Sequence, residues 1–383
     1  MVPEGTGWSY PPFSGTISDN KIYGRGAIDD KGPVIASLYA MKAVMDNCKI
    51  NGRVRLILGL NEEQDWKCIN YYKEHEEMPN ISFSPDADFP CIYAEKSILS
   101  CYLKTDISKR KNLPIEIKSI DCNNNALNVV PKFCSTILKI NPNEILMCEL
   151  ITVIKNFVDK YNFEIDIYKI DETEIKLTSH GVQAHAAHPD LGTNAISQLI
   201  IILNDIFKTY NVNIELFDFF TQKIGIDYYG SKLDINFKDS SGMLTLNVGK
   251  FELSDSFISI GMNLRIPISI DVETIKNSFL KNVTEYPEIK FLQTNYMPSL
   301  YVSKDDYLVK TLCDIFNLET NSNEEPIAIG GATFARAFEN CISFGPNFPG
   351  DKDKCHQTDE FIDIDKLILS CKIYAKAIIE LSK

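Results

Sequence analysis

The sequence is short of the features that mark several common protein classes. No run of about 18 apolar residues is present, so the usual membrane-spanning helix is not expected. The 11 cysteines are odd in number and never spaced C-x-x-C, which speaks against a disulfide framework or a zinc ribbon. Free thiols in a reducing cytoplasm are the expectation. Positive charge is also scarce. The 39 Lys and Arg face 52 Asp and Glu, and a net charge of −13 argues against nucleic acid or an anionic membrane as the main partner. Internal repeats and low-complexity runs are absent. What remains is a chain of 383 residues, 44% hydrophobic and 24% charged, too long for one ordinary core and therefore expected to form two domains.

The chemistry concentrates around GRGAIDDKGP, Gly24 to Pro33. Two glycines flank an arginine, which suits a tight backbone, and adjacent carboxylates Asp29 and Asp30 follow. Pro33 fits the first position of a helix whose Val34, Leu38, Met41 and Met45 share one face, expected to be the buried one. Alone, the Asp29-Asp30 pair fits a solvated helix cap as well as a metal site. Its company favours the metal. Glu62 and Glu63 follow the apolar run Val54 to Leu60, expected as a buried strand. Asp86 follows a short strand at Ile81 to Phe83, and His356 lies in CHQTDEF. In open α/β sheets, ligands collect at the carboxyl ends of strands. Four carboxylates and an imidazole brought together would repel, and one or two divalent cations would supply the missing counter-charge.

Secondary-structure patterning divides the chain in three. Up to about residue 96, helix and strand alternate in βαβ fashion: the helix after Pro33, the strand at Val54 to Leu60, a helical segment from Asp65 to Glu77. From about Ser97 the texture is α+β. Strands are expected at Ser97–Thr105, Glu174–Thr178, Met243–Val248 and Phe257–Arg265, with helices at Asn143–Tyr161, Asn194–Tyr210 and Val272–Lys281. From about Lys304 the βα texture returns, with a helix over Asp305–Phe316 and a last one placing Ile364, Leu367, Cys371, Tyr374 and Ile378 on one face. The expected architecture is α/β: a catalytic domain with a mostly parallel sheet, built from 1–96 and 301–383, and an inserted α+β domain at 97–300; the family resemblance set out next implies that the first is zinc-peptidase-like and the second its lid.

Eight stretches together carry a family resemblance: PEGTGW with PF, KIYGRGAIDDKGP, GLNEEQDWKCINYY, SFSPDADFP, GVQAHAAHPDLGTNA, NLRIP, IGGATFARAF and FPGDKDKCHQTDEFI. Their order and spacing resemble the aminoacylase/ArgE/DapE-type metallopeptidases, and within them the PepV-like, carnosinase-type dipeptidases, over essentially the whole chain. The resemblance implies a metal-dependent hydrolase of dipeptides with two metal sites, taking zinc, manganese or cobalt. It implies that Asp29 bridges the metals, that Glu63 and His356 complete one site, and that Asp86 belongs to the other. Glu62 would be the general base. His185 would stabilise the oxyanion, and Arg265 would pair with the substrate carboxylate, where a planar fork is favoured. Asn128 and the glycine loop Gly330-Gly331 would also meet substrate; Ala332 stands where a third glycine is common. The size of the insertion points to a monomer. His180, His188 and Cys355 are read as bystanders. One departure stands out. The family's H-x-D motif, whose histidine joins Asp86 on one metal, should precede Val2-Pro3-Glu4-Gly5, and Met1 occupies the position just after it. An N-terminally truncated enzyme is therefore expected, the alternative being a catalytically dead remnant retained for peptide binding.

Overall fold

The computed structural model describes residues 2–64, 66–108, 110, 113–123, 126–352 and 354–383. It divides the chain into two compact units, Met1–Glu95 with Leu300–Lys383, and Lys96–Ser299.

The first unit is built on short strands. Ile92–Glu95 pairs in parallel with Ile327–Ile329 and antiparallel with Leu300–Tyr301. Cys341–Ser343 pairs in parallel with Ser82–Ser84 and joins Ile92–Glu95 at a single antiparallel position. Pro346–Asn347 runs parallel to Ala87–Asp88. The sheet is thus mixed, and its parallel pairs join residues from the two ends of the chain. Aromatic rings fill the interior: Phe89 lies 4.9 Å from Phe316 and Phe348 and 5.0 Å from Phe344, with fully buried Tyr374 beside them. The helix Ile364–Leu381 opens on Asp363, whose carboxylate accepts from the backbone N–H groups of Asp365 and Lys366.

Two expectations for this unit need correction. The helix Gly32–Asn47 does form, with Pro33 in its first turn, but it buries Pro33, Ala36, Ser37, Ala40 and Val44, while Leu38 and Met45 are exposed. It packs on the helix Ile364–Leu381, and small side chains let the two backbones approach closely. The last helix is rotated similarly, burying Ser370, Ile373 and Ala377 alongside Tyr374 and Ile378. Second, Val54–Leu60 is not a strand: it lies in no ladder among the described residues, and Leu58 and Leu60 are exposed. An apolar run becomes a strand only where a neighbouring edge offers hydrogen-bond partners. At its end the Leu60 N–H donates to a side chain, Cys68 Sγ, at 3.4 Å. The helix expected at Asp65–Glu77 spans Lys67–His75; Asp65 lies outside the described residues.

The second unit is α+β. Thr245–Leu253, Phe257–Ile266, Ser97–Asp106 and Ile289–Met297 form an antiparallel sheet in that order. A second antiparallel sheet orders Ile165–Lys169, Glu174–His180, Phe133–Ile140 and Ile115–Asp121. Four of these strands, Ile115–Asp121, Phe133–Ile140, Ile165–Lys169 and Ile289–Met297, have no counterpart among the strands expected from sequence. The helices Met147–Tyr161, Ala195–Thr209 and Val272–Val283 share one core with the sheets, centred on Leu99, Leu138, Leu199, Phe217 and Leu264. Alternation sets the first sheet's faces. Leu246, Val248, Met262 and Leu264 enter that core, and the residues between them are polar.

Candidate metal centre and substrate-facing residues

The acidic loop is shaped from its backbone outward. Gly26, at φ 82°, takes the left-handed conformation that opens the segment Ala27–Lys31, and the Asp29–Asp30 peptide bond is cis. Three consecutive-turn donors then need acceptors. The buried Glu360 carboxylate supplies them, accepting from the N–H groups of Gly26 (2.9 Å), Ile28 (3.0 Å) and Asp29 (3.1 Å). Its charge is matched by buried Arg25, whose Nη1 donates at 2.6 Å. Lys31 Nζ closes the loop on Arg25 O at 2.7 Å. With its backbone committed to Glu360, the loop leaves the Asp29 side chain free to face the site.

There Asp29, Glu63 and His356 meet. His356 Nε2 lies 2.8 Å from Asp29 Oδ2 and 2.9 Å from Glu63 Oε1. Each of the three offers a ligand atom, all within 4.8 Å of one another. The hydrogen bonds to Asp29 and Glu63 push the His356 imidazole up to about 10. A proton there acts as local counter-charge, and a cation would replace it. Glu62, mostly buried, is pushed up to about 7, first by burial and then by the charges of Glu63 and Asp29. Its main-chain carbonyl accepts from Trp66 Nε1, which fixes the turn carrying both glutamates. Asp86 is held well above the usual carboxylate range by burial and by Asp30, Glu62, Asp29 and Glu63. Asp30 is raised the same way, and its buried Oδ1 has no hydrogen-bond partner.

Five carboxylates thus share one field. Asp29, Glu63 and His356 are in contact; Glu62 and Asp86 feel their charge without joining that triad. The donor set is carboxylate and imidazole, which suits a divalent cation held by oxygen and nitrogen rather than a thiolate site. The raised carboxylates and the unpartnered Asp30 oxygen are the electrostatic deficit that such an ion would relieve.

Gly330 and Gly331 lie on the loop after Ile327–Ile329. Arg336 Nη2 donates to Gly331 O at 2.7 Å, and its Nε to buried Glu95 at 2.5 Å. Thr333 adds its N–H and hydroxyl to the same carboxylate, at 3.2 and 2.7 Å. The remaining expected residues, Asn128, His185 and Arg265, belong to the second unit. Asn128 and His185 are exposed and adjacent: His185 pairs with Val129, and the Ala186 N–H donates to Asn128 O at 2.9 Å. Arg265 is buried, and its Nε donates to Asn263 Oδ1 at 2.8 Å.

The profile of Peptidase family M20/M25/M40 matches residues 1–380. The chain belongs to peptidase family M20. It is a hydrolase, and family membership brings dependence on a divalent metal. It is 36% identical over 386 residues to "Putative dipeptidase YtjP" of Bacillus subtilis, covering all of this chain and 81% of that protein. A protein of the same description from Staphylococcus haemolyticus, SH1171, is 32% identical over 390 residues with the same coverage. The M20 fold is shared with solved structures. Human carnosine dipeptidase 1 aligns with a TM-score of 0.53 at 12% identity, over 100% of this chain and 77% of that one. An M20 metallo-carboxypeptidase from Sulfolobus solfataricus aligns at 0.52 and 16%, over 97% and 80%.

Sequence reasoning passed over the residues that hold this M20 site in place. Glu360 stands four positions after His356, and Arg25 lies inside the GRG that begins the acidic loop, but nothing in a linear pattern tells a buried ion pair from a solvated one. The same holds for Glu95 and Arg336. Asp30 was visible as half of the Asp-Asp pair and drew no role. No helix among the described residues is long and apolar enough to cross a membrane.

Proposed function

We propose that this M20 chain is a cytoplasmic, monomeric dipeptidase that uses zinc or manganese to hydrolyse the peptide bond of dipeptides. The observation that carries the proposal is the Asp29–Glu63–His356 cluster beside Glu62, whose carboxyl is raised to about 7 by burial and neighbouring charges. Dipeptidase names among relatives above 30% identity support the substrate class. In this reading Asp29, Glu63 and His356 would hold one ion, and Asp86 would help hold a second. Metal bound there would acidify a water and polarise the scissile carbonyl. Glu62 takes the proton of the attacking water and passes it to the leaving amine, work suited to a carboxyl poised near neutrality. His185 supplies charge to the developing oxyanion, Arg265 receives the substrate's terminal carboxylate, and Asn128 and the Gly330-Gly331 backbone orient the peptide.

Glu62→Gln tests the assignment. It keeps the shape and removes the base, so kcat is expected to fall roughly 10²–10⁴-fold while metal affinity, measured by calorimetry, stays within about threefold. Full turnover in this variant would show that Glu62 is not the base.

A further inference from the structure

In the second unit, the polar face of the sheet is buried rather than solvated. Thr245 stands opposite Arg265 and Asn247 opposite Asn263, so the four side chains share that face. All are buried, although none contributes to the apolar core. Their hydrogen bonds account for the burial. The Asn247 amide gives its two hydrogens to Leu127 O and Val129 O, each at 2.8 Å. Those are the carbonyls on either side of Asn128. Thr245 Oγ1 donates to Ala186 O at 2.9 Å, immediately after His185. Asn194 Nδ2 donates to Val248 O (2.8 Å) and Asn247 Oδ1 (3.3 Å), while its Oδ1 caps the helix Ala195–Thr209 by accepting from Ser197 N–H at 3.0 Å. Gly249 completes the cradle: a Cβ there would stand 2.5 Å from Leu127 Cα.

We propose that Thr245 and Asn247 are positioning residues, a buried polar frame that locks the Asn128 and His185 segments in register with each other and with Arg265. The inference rests on the reading of Asn128, His185 and Arg265 as substrate contacts. Its physical basis is geometric. Asn128 immediately precedes the strand Val129–Val130 and His185 ends the strand Ala184–His185, and the two-residue ladder between these strands cannot fix the two exposed side chains unaided. The strand Thr245–Leu253 grips both from beneath with donors that have no water to turn to. The register Thr245–Arg265 then ties those grips to the arginine.

The test uses the full chain with metal added. Thr245→Val removes one hydroxyl at nearly constant shape, Asn247→Leu removes both amide donors, and Thr245→Ser restores the hydroxyl. Hydrogen exchange by mass spectrometry and dipeptide kinetics are read together, with metal affinity as control. Thr245→Val and Asn247→Leu are expected to speed exchange at Ala186 about tenfold or more and to lower kcat/KM by roughly 10²-fold, the scale of a small misplacement of catalytic groups. Metal affinity and exchange in Phe257–Ile266 should hold, and Thr245→Ser should stay near the parent on every readout. If Asn247→Leu fails to fold, Thr245→Val still decides. Unchanged exchange in Thr245→Val, or faster exchange with unchanged kinetics, overturns the proposal. Faster exchange in the variants of a parent that cleaves no dipeptide would refute the dipeptidase reading while leaving the frame standing.

Discussion

Glu360→Gln is the substitution that probes the site's foundation. The carboxylate is buried, and each oxygen serves two donors: Oε1 the N–H groups of Ile28 and Asp29, Oε2 the Gly26 N–H and Arg25 Nη1. A glutamine keeps the volume but has one oxygen. Whichever way its amide turns, two donors lose their acceptor and face an NH₂ group. Hydrogen bonds to a charged group contribute about 1.5–3 kcal/mol each, so two give ~3–6 kcal/mol. Leaving one member of a buried ion pair uncompensated costs about 3–5 kcal/mol by itself. These overlap through Arg25, so the expected loss is about 4–6 kcal/mol, against a usual domain stability of ~5–15 kcal/mol. Urea unfolding followed by tryptophan fluorescence measures it, since Trp8 packs over Arg25. The double variant Arg25→Met/Glu360→Gln sharpens the argument. A simple buried ion pair can be replaced by apolar side chains at little cost. Here the backbone donors of Gly26, Ile28 and Asp29 would still lack a full acceptor set, so the second substitution should recover less than half of the loss. A single variant destabilised by under about 1 kcal/mol, or full recovery in the double variant, would refute the assignment of Glu360 as the anchor of the Asp29 loop.

Two further outcomes follow from the same geometry. With the metal-free His356 imidazole at about 10, binding of an ion at pH 8 must displace its proton. The sign is set by the raised value: apparent affinity for manganese should climb with pH up to about 10 and then level, and calorimetry in two buffers of different ionisation enthalpy should record at least about one proton released per ion, the raised Asp30 and Asp86 carboxyls adding to it. Binding with no proton release contradicts the imidazole's role. Arg265→Lys keeps the charge but loses the planar fork, so KM for dipeptides with a free carboxylate should rise about tenfold or more with kcat little changed; an equal KM for amidated dipeptides in parent and variant is the expected control.

The site was more legible in the sequence than the packing around it. Carboxylates and a histidine at the ends of short segments point to a cation whatever the details of the fold, and Asp29, Glu63 and His356 do converge. The helix Gly32–Asn47 shows why packing is harder. Its apolar residues fall on both sides, Ile35, Leu38 and Tyr39 on one, Ala36, Ala40 and Val44 on the other, so periodicity alone picks the larger side chains, whereas the neighbouring helix selects the smaller. Val54–Leu60 failed for another reason: its composition suits a strand, but strand formation depends on a partner that composition does not encode. The strand Phe133–Ile140 was hidden because it is buried on both faces over much of its length and lacks clean alternation. Asn247 and Glu360 illustrate the last gap. A buried polar side chain is defined by what it bonds to, and those partners lie up to 335 residues away in the chain.

The central claim is that Asp29, Glu63 and His356 hold a divalent ion on which peptide hydrolysis depends. The most direct measurement is dipeptide hydrolysis by the full chain after chelation, then with zinc or manganese restored, in parallel for the parent and His356→Ala. The account predicts hydrolysis that chelation abolishes and metal restores in the parent, with little or none in His356→Ala at the same metal concentration. Hydrolysis that survives chelation, or full metal-restored activity without the His356 imidazole, would contradict it.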